Sequence, residues 1–249
     1  MLNKEQTSQI LISIYQELLA HYGPQNWWPS RSGDPWEVML GAALVQRTSW
    51  VNVERSLDRI VAAWGLAGLA DPEKLLAATE EELASLIRPS GHYNSKPRKL
   101  RNLARFVIDA GGVNSLATSQ VSTLELRAAL LSLWGIGPET ADAILLYALG
   151  RPIFVADAYA LRLVSRWGLL PPNATYNEIQ TLFMDNLPHD AALFGEYHAL
   201  IVEHGRQTCR HRPHCHICPL NRQLLVGVDL GREVVWQCPK NNVTQEVRG

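Results

Sequence analysis

The sequence predicts an all-α fold. Apolar residues recur at helical spacing through most of the chain. Gly- and Pro-containing turn signals cut it into helix-length pieces. No strand pattern occurs before the short Glu233-Val-Val-Trp236. The 249 residues, 47% of them hydrophobic, are enough for one large or two modest cores. No apolar run reaches the roughly 20 residues that a membrane-spanning helix needs.

The first helix is expected over 4–22, where Ile10, Leu11, Ile14, Leu18 and Leu19 form one stripe and Gly23-Pro24 ends it. Helices over 35–46 and 49–64 follow, the first opened by Asp34-Pro35, a cap with proline at the first helical position. Further helices are expected over 80–87, 94–109, 122–133, 139–149, 157–167, 175–186 and 189–204. Pro29, Gly65, Asp71-Pro72, Pro89-Ser-Gly91, Gly111-Gly112, Gly150-Arg-Pro152 and Pro171-Pro172 punctuate them. No internal repeat of solenoid period is present.

Net charge is −1, which argues against a body coated in nucleic acid. The charge is locally uneven. Residues 205–222 hold Arg206, Arg210, Arg212, Arg222 and several histidines without a carboxylate. Residues 96–105 hold Lys96, Arg98, Lys99, Arg101 and Arg105, again without an acid. Such patches on a neutral body suit a grip on a short DNA segment, or are solvated helix faces. The polar Met1-Leu-Asn-Lys-Glu-Gln6 start shows no signal peptide, so a cytoplasmic monomer that does not engage a membrane is expected.

The most informative stretch is Leu133-Trp-Gly-Ile-Gly-Pro-Glu-Thr-Ala-Asp142, followed by Val155-Ala-Asp-Ala-Tyr159. An apolar helix runs into Gly135-Ile136-Gly137 and a second helix starts at once: a helix-hairpin-helix. The two glycines allow a tight turn and expose backbone N–H groups at a helix N-terminus, a geometry that binds phosphate. An isolated acid, Asp157, lies eighteen residues beyond Glu139. All four cysteines lie near the C-terminus as Cys209-x5-Cys215-x2-Cys218-Pro, with Cys238 following after nineteen intervening residues. Thiols so close together, flanked by arginines, read as a zinc or iron–sulfur site rather than disulfides.

The hairpin with its downstream aspartate resembles the helix-hairpin-helix DNA glycosylases of the endonuclease III superfamily. Trp27-Trp28-Pro29, Val45-Gln-Arg-Thr-Ser-Trp50, Arg88-Pro-Ser-Gly-His-Tyr-Asn-Ser-Lys96 and Gly135-Ile-Gly-Pro-Glu-Thr-Ala-Asp-Ala-Ile-Leu145 look like the 3-methyladenine DNA glycosylase III branch over about residues 24–170. The resemblance implies a helical barrel over 31–151 and a second domain in which the N-terminal segment 1–30 packs with 152–224. A groove would have the hairpin and Asp157 on facing walls, and 225–249 would be a tail.

The resemblance also implies roles. Asp157 would stabilise the sugar cation and orient water, and its other reading is the N-cap of the following helix. Glu139 stands where bifunctional members carry the lysine that forms a Schiff base. A carboxylate cannot form an imine, so a monofunctional enzyme is expected. Gln46 matches the residue that fills the gap left by a flipped base, and is otherwise a polar residue at a helix end. Gly135, Ile136, Gly137, Thr140, Arg210 and Arg212 would contact DNA. Trp27, Trp28 and Trp50 would form the base pocket, or else pack in the core. Cys209, Cys215, Cys218 and Cys238 would hold a [4Fe–4S] cluster, zinc being the alternative. The family's last cysteine would fall at Leu224, so Cys238 must reach back, or a local histidine must substitute, or the cluster is labile. The expected partner is double-stranded DNA carrying a damaged base, most simply an alkylated purine. Alternatives are an enzyme for oxidised pyrimidines, uracil or mismatched thymine, and a decayed DNA-binding protein. Ala158, in place of a family lysine, marks one departure.

Overall fold

The computed structural model describes residues 3–222, 224–229 and 232–239. Twelve α-helices occur among them: α1 Lys4–Tyr22, α2 Pro35–Leu44, α3 Trp50–Trp64, α4 Pro72–Ala77, α5 Glu80–Ile87, α6 Lys96–Asp109, α7 Val113–Thr118, α8 Thr123–Ser132, α9 Pro138–Ala143, α10 Ala158–Arg166, α11 Tyr176–Asn186 and α12 Ala191–Gln207. Two short strands, β1 Leu224–Asp229 and β2 Arg232–Trp236, pair antiparallel near the end. The fold is all-α apart from that hairpin. The sequence pattern finds the long helices to within a few residues. It misses α4 and α7, which at six residues each are too short to display a period. No described helix is long and apolar enough to cross a membrane.

The chain divides into two compact units. One is Trp28–Pro152; the other joins the N-terminal segment through Trp27 to the chain from Ile153 onward. The Trp28–Pro152 unit is built around α2. Its Pro-Trp-Glu-Val-Met-Leu-Gly-Ala-Ala-Leu sequence is apolar all round, and Trp36 through Leu44 are buried. Asp34 caps it, its carboxylate accepting from Trp36 N, with Pro35 at the first helical position. The buried exception is Glu37. Its carboxylate accepts from the Arg31 and Ser32 amides and from the Ser30 and Ser32 hydroxyls, pinning the loop before α2. Burial pushes the Glu37 carboxyl up, but those hydrogen bonds outweigh it and hold it below the usual range. Around α2, α3 buries Val53, Leu57 and Ile60, and α6 buries Leu100, Leu103, Ala104 and Val107.

The helix expected over 139–149 is not uniform. After α9, Ile144–Ala148 forms a π turn, closed by Leu149 N donating to Ile144 O at 3.1 Å. The other unit packs α1 through Ile10, Leu11, Ile14 and Leu18. Its extended segment Ile153–Ala156 is wholly buried, with Phe154 stacked on Phe183 at 3.8 Å. Tyr197 of α12 donates to Leu11 O at 2.9 Å, tying that helix to α1.

Candidate active site

The hairpin follows α8. Gly135 has φ +89°, and a Cβ there would lie 2.5 Å from Lys99 Cγ, so both conformation and space demand glycine. Gly137 differs: it is the N-cap of α9 at φ −99°, an extended conformation open to any residue, with no atom close to a built Cβ. Ile136 is buried, and its amide donates to Leu133 O at 3.1 Å. Its side chain anchors the hairpin to the core. Glu139 is exposed in the first turn of α9, where an acid suits the helix dipole.

Gln46 and Thr140 meet. Gln46 Nε2 donates to Thr140 Oγ1 at 2.8 Å and to Gly135 O at 3.1 Å, while Lys99 Nζ donates to Gln46 Oε1 at 2.6 Å. Lysine only donates, so this contact fixes which way the Gln46 amide points. Sequence patterning did not assign Lys99 this role.

Lys99 belongs to the basic run 96–105, of which Lys96 is buried, Lys99 and Arg101 are half-buried, and Arg98 and Arg105 are exposed. Lys96 is only 1% exposed, and its Nζ donates to Leu44 O and Ser90 O at 2.7 Å each. It thereby satisfies the last carbonyl of α2. Burial, then the charge of Lys99, pulls the Lys96 ammonium down to about 8. Arg101 donates to Ala78 O. Arg98 lies over the Trp134 ring at 4.4 Å.

The three tryptophans separate. Trp28 and Trp50 meet edge to face at 5.1 Å, and Tyr147 joins them, its ring 5.4 Å from Trp28. All three are part-exposed. Gly41 makes room for them: a Cβ there would stand 3.1 Å from Trp28 Nε1 and 3.2 Å from Trp50 Cη2. Tyr147 was not legible as a partner, because it sits on the π turn, which shifts it off the regular helical phase. Trp27 belongs to the other unit and meets His198 edge to face at 5.7 Å.

Asp157 caps α10. Its Oδ1 accepts from Ala160 N at 2.7 Å, and Oδ2 lies 3.7 Å from Nε2 of the buried His198. One oxygen is thus fixed by the backbone. The extended Ile153–Ala156 segment, buried on all sides, holds the residue in place.

Cys209, Cys215, Cys218 and Cys238 line one small cavity with Trp167, His204, Thr208, Pro213 and His214. None forms a disulfide. The long spacing before Cys238 closes because β1 and β2 run out and back, with Leu224 paired to Trp236. Burial pushes the Cys218 thiol up to about 12, and Cys238, Cys209 and Cys215 push the same way. No three acid, histidine or cysteine side chains among the described residues converge on a single metal-ion position. The four free thiols share one cavity, and cysteine thiolates are a donor set that either an iron–sulfur cluster or zinc accepts. Two arginines of α10 brace the loop. Arg166 donates to Cys209 O at 3.1 Å, Cys209 Sγ at 3.3 Å and His211 O at 3.0 Å, and Arg162 donates to Gly205 O at 2.8 Å. Arg210 and Arg212 are left exposed on its outer face.

A glycine-hinged helix-hairpin-helix in an all-α body, followed by a capped acid and a cysteine-lined loop, defines a protein of the base-excision class. Residues 40–189 match the model of the HhH-GPD superfamily base excision DNA repair proteins. The chain belongs to that family and is a DNA glycosylase of the endonuclease III superfamily. It is 44% identical over 218 residues to "Putative DNA repair glycosylase MJ1434" of Methanocaldococcus jannaschii, covering 87% of this chain and 96% of that protein. Among solved structures, it resembles the H. pylori 3-methyladenine DNA glycosylase (MagIII) bound to 1,N6-ethenoadenine. That match has TM-score 0.67 and 28% identity, covering 83% of this chain and 98% of the other. A non-covalent endonuclease III–DNA complex shares the fold at TM-score 0.74 and 22% identity, covering 99% and 100% of the two chains.

Proposed function

We propose that this glycosylase is monofunctional and excises alkylated purines such as 3-methyladenine from double-stranded DNA, leaving an abasic site. The observation that carries the substrate class is the part-exposed cluster of Trp28, Trp50 and Tyr147. Alkylated purines such as 3-methyladenine are cationic, and each good contact with an electron-rich ring face favours a cation by about 0.5–2 kcal/mol. A cationic base is also a good leaving group, so no strong general acid is required. The likeness to the MagIII structure supports the same class.

The target nucleotide leaves the stack before its bond is broken. The hairpin around Gly135 and Gly137, with Thr140 behind it, holds backbone phosphate, and Arg210 and Arg212 hold phosphates elsewhere. As the N-glycosidic bond lengthens, positive charge builds on the sugar. Asp157 stabilises it and orients the attacking water, which forms the new C1′–O bond and gives up a proton to the Asp157 carboxylate, while the base departs with the electron pair of the broken bond. Glu139 offers no amine, so no imine forms and no strand is cut. The four cysteines hold a [4Fe–4S] cluster, which when bound supplies a rigid cross-link for the arginine-bearing loop.

Duplexes bearing 3-methyladenine, uracil or oxidised pyrimidines test this, with product analysed before and after alkali and with borohydride added. Release of 3-methyladenine is expected, with strand breaks only after alkali and no borohydride-trapped adduct. Release of oxidised pyrimidines or thymine alone would replace the substrate class, and a trapped adduct would overturn the monofunctional reading.

A further inference from the structure

Two consecutive residues of α6 reach the hairpin. Lys99 packs its stem against Gly135, where a Cβ would lie 2.5 Å from Cγ and 2.7 Å from Cε, and commits its ammonium to Gln46 Oε1 at 2.6 Å. Arg98 has no such commitment. It is exposed, its guanidinium lies 4.4 Å over the Trp134 ring, and it makes no hydrogen bond or ion pair to any described residue. Its own helix offers no acid: residues 96–105 hold no carboxylate, and Arg101 and Asn102 occupy the positions one turn on. Trp134 directly precedes Gly135 and is 46% exposed, whereas Ile136 on the other side of that glycine is buried. A tryptophan left half in solvent adds little to the core, but it gives Arg98 a ring face to lie on. An indole face attracts a guanidinium without using its N–H donors, so those donors are held in place and remain available. A positioned, uncompensated cation thus stands beside a phosphate-binding turn. Its complement is an anion whose charges recur at short intervals, which is the DNA backbone.

We infer that Arg98, oriented by Trp134, binds a backbone phosphate adjoining the one held by the hairpin, so that the hairpin and α6 grip neighbouring phosphates of one strand. The inference rests on the hairpin's phosphate contact in the reading above and is independent of which base is excised. One gripped phosphate positions a strand but lets it pivot. A second beside it also fixes the strand's direction, which sets how the target nucleotide is presented.

The test measures binding of the full chain to an undamaged duplex and to one carrying a tetrahydrofuran abasic analogue, between about 50 and 200 mM salt. Arg98→Ala should lower the slope of log affinity against log salt by about 0.9, the value for one phosphate, and equally on both duplexes. Arg98→Lys keeps the charge and should recover most of that slope. Trp134→Leu should weaken binding with Arg98 intact, while Trp134→Phe, which keeps a ring face, should bind as wild type does. Neutral methylphosphonates, placed one at a time along the strand, locate the contact. Wild type should lose affinity at adjoining positions, and in Arg98→Ala one of these should cease to matter while the others remain. A wild-type slope in Arg98→Ala, a slope lost on the abasic duplex alone, or an unaltered methylphosphonate pattern would overturn the inference. If wild type releases none of the bases tested but the salt and methylphosphonate results hold, the excision reading fails and the Arg98 contact stands. If a base is released and Arg98→Ala keeps the wild-type slope, only the Arg98 contact fails.

Discussion

Asp157 divides its two oxygens between the backbone of α10 and the side facing His198. That division makes one substitution decisive. An asparagine at this position would keep an oxygen for Ala160 N, and asparagine caps helices as well as aspartate, so Asp157→Asn should change stability by no more than about 0.5 kcal/mol. Base release should fall by about 10²–10³ because the charge opposite the sugar cation is gone. Binding to abasic-analogue DNA should persist. Single-turnover excision beside thermal denaturation checks this, and unimpaired excision would remove Asp157 from the reaction. Lys96 sets a different test at the same scale. Its folded value, about 8, lies below the usual 10.5, so between those limits the unfolded chain holds a proton that the folded one has released. The stability attributable to Lys96 should therefore rise with pH across that window. Urea midpoints of wild type minus Lys96→Met should show the rise, and a flat difference would mean that the ammonium keeps its ordinary affinity.

At the scale of the element, the Gly-Ile-Gly hairpin shows what a sequence conveys and what it hides. The residues announce a tight turn at a helix start, and one is there. They do not say which glycine is indispensable, because φ is not written in residue identity. Gly135→Ala places a Cβ against Lys99 at φ +89° and should cost about 1–2 kcal/mol or more. Gly137→Ala, at φ −99° with open space, should leave stability nearly unchanged. Equal costs in denaturant titrations would contradict this division of roles. The α6 basic run hides its arrangement in another way. Lys96 shares a helical stripe with Leu100, Leu103 and Val107, so the periodicity already marked it as inward-facing. Its charge argued for the surface, and two carbonyl acceptors resolved the conflict. Tyr147 and His198 had no such marker. One depends on a π turn and the other on which residue of a buried helix faces Asp157, both properties of tertiary packing.

At the scale of the whole molecule, the all-α class and the long helices were legible because burial of apolar stripes dictates them. The junction of the N-terminal helix with the chain beyond Ile153 was legible only through resemblance, since no local pattern records a partner so distant in sequence. The cysteines lie between these cases. Their number and types indicated a metal site, while the nineteen residues before Cys238 obscured its closure. The β1–β2 hairpin resolves this: strands of similar length return the chain to its starting point, so a long sequence separation becomes a short spatial one. Cys238 is buried on the cavity shared with the other three thiols, where the proposed cluster would take it as its fourth ligand. Purified protein should contain iron and acid-labile sulfide with the visible absorbance of an iron–sulfur cluster. Cys238→Ser should lose both and unfold at lower temperature, because a group bound only by the native state stabilises that state by mass action. Cys238→Ser protein that retains its iron and sulfide would move the fourth ligand to a cavity histidine such as His214. Zinc without sulfide in the wild type would replace the cluster altogether.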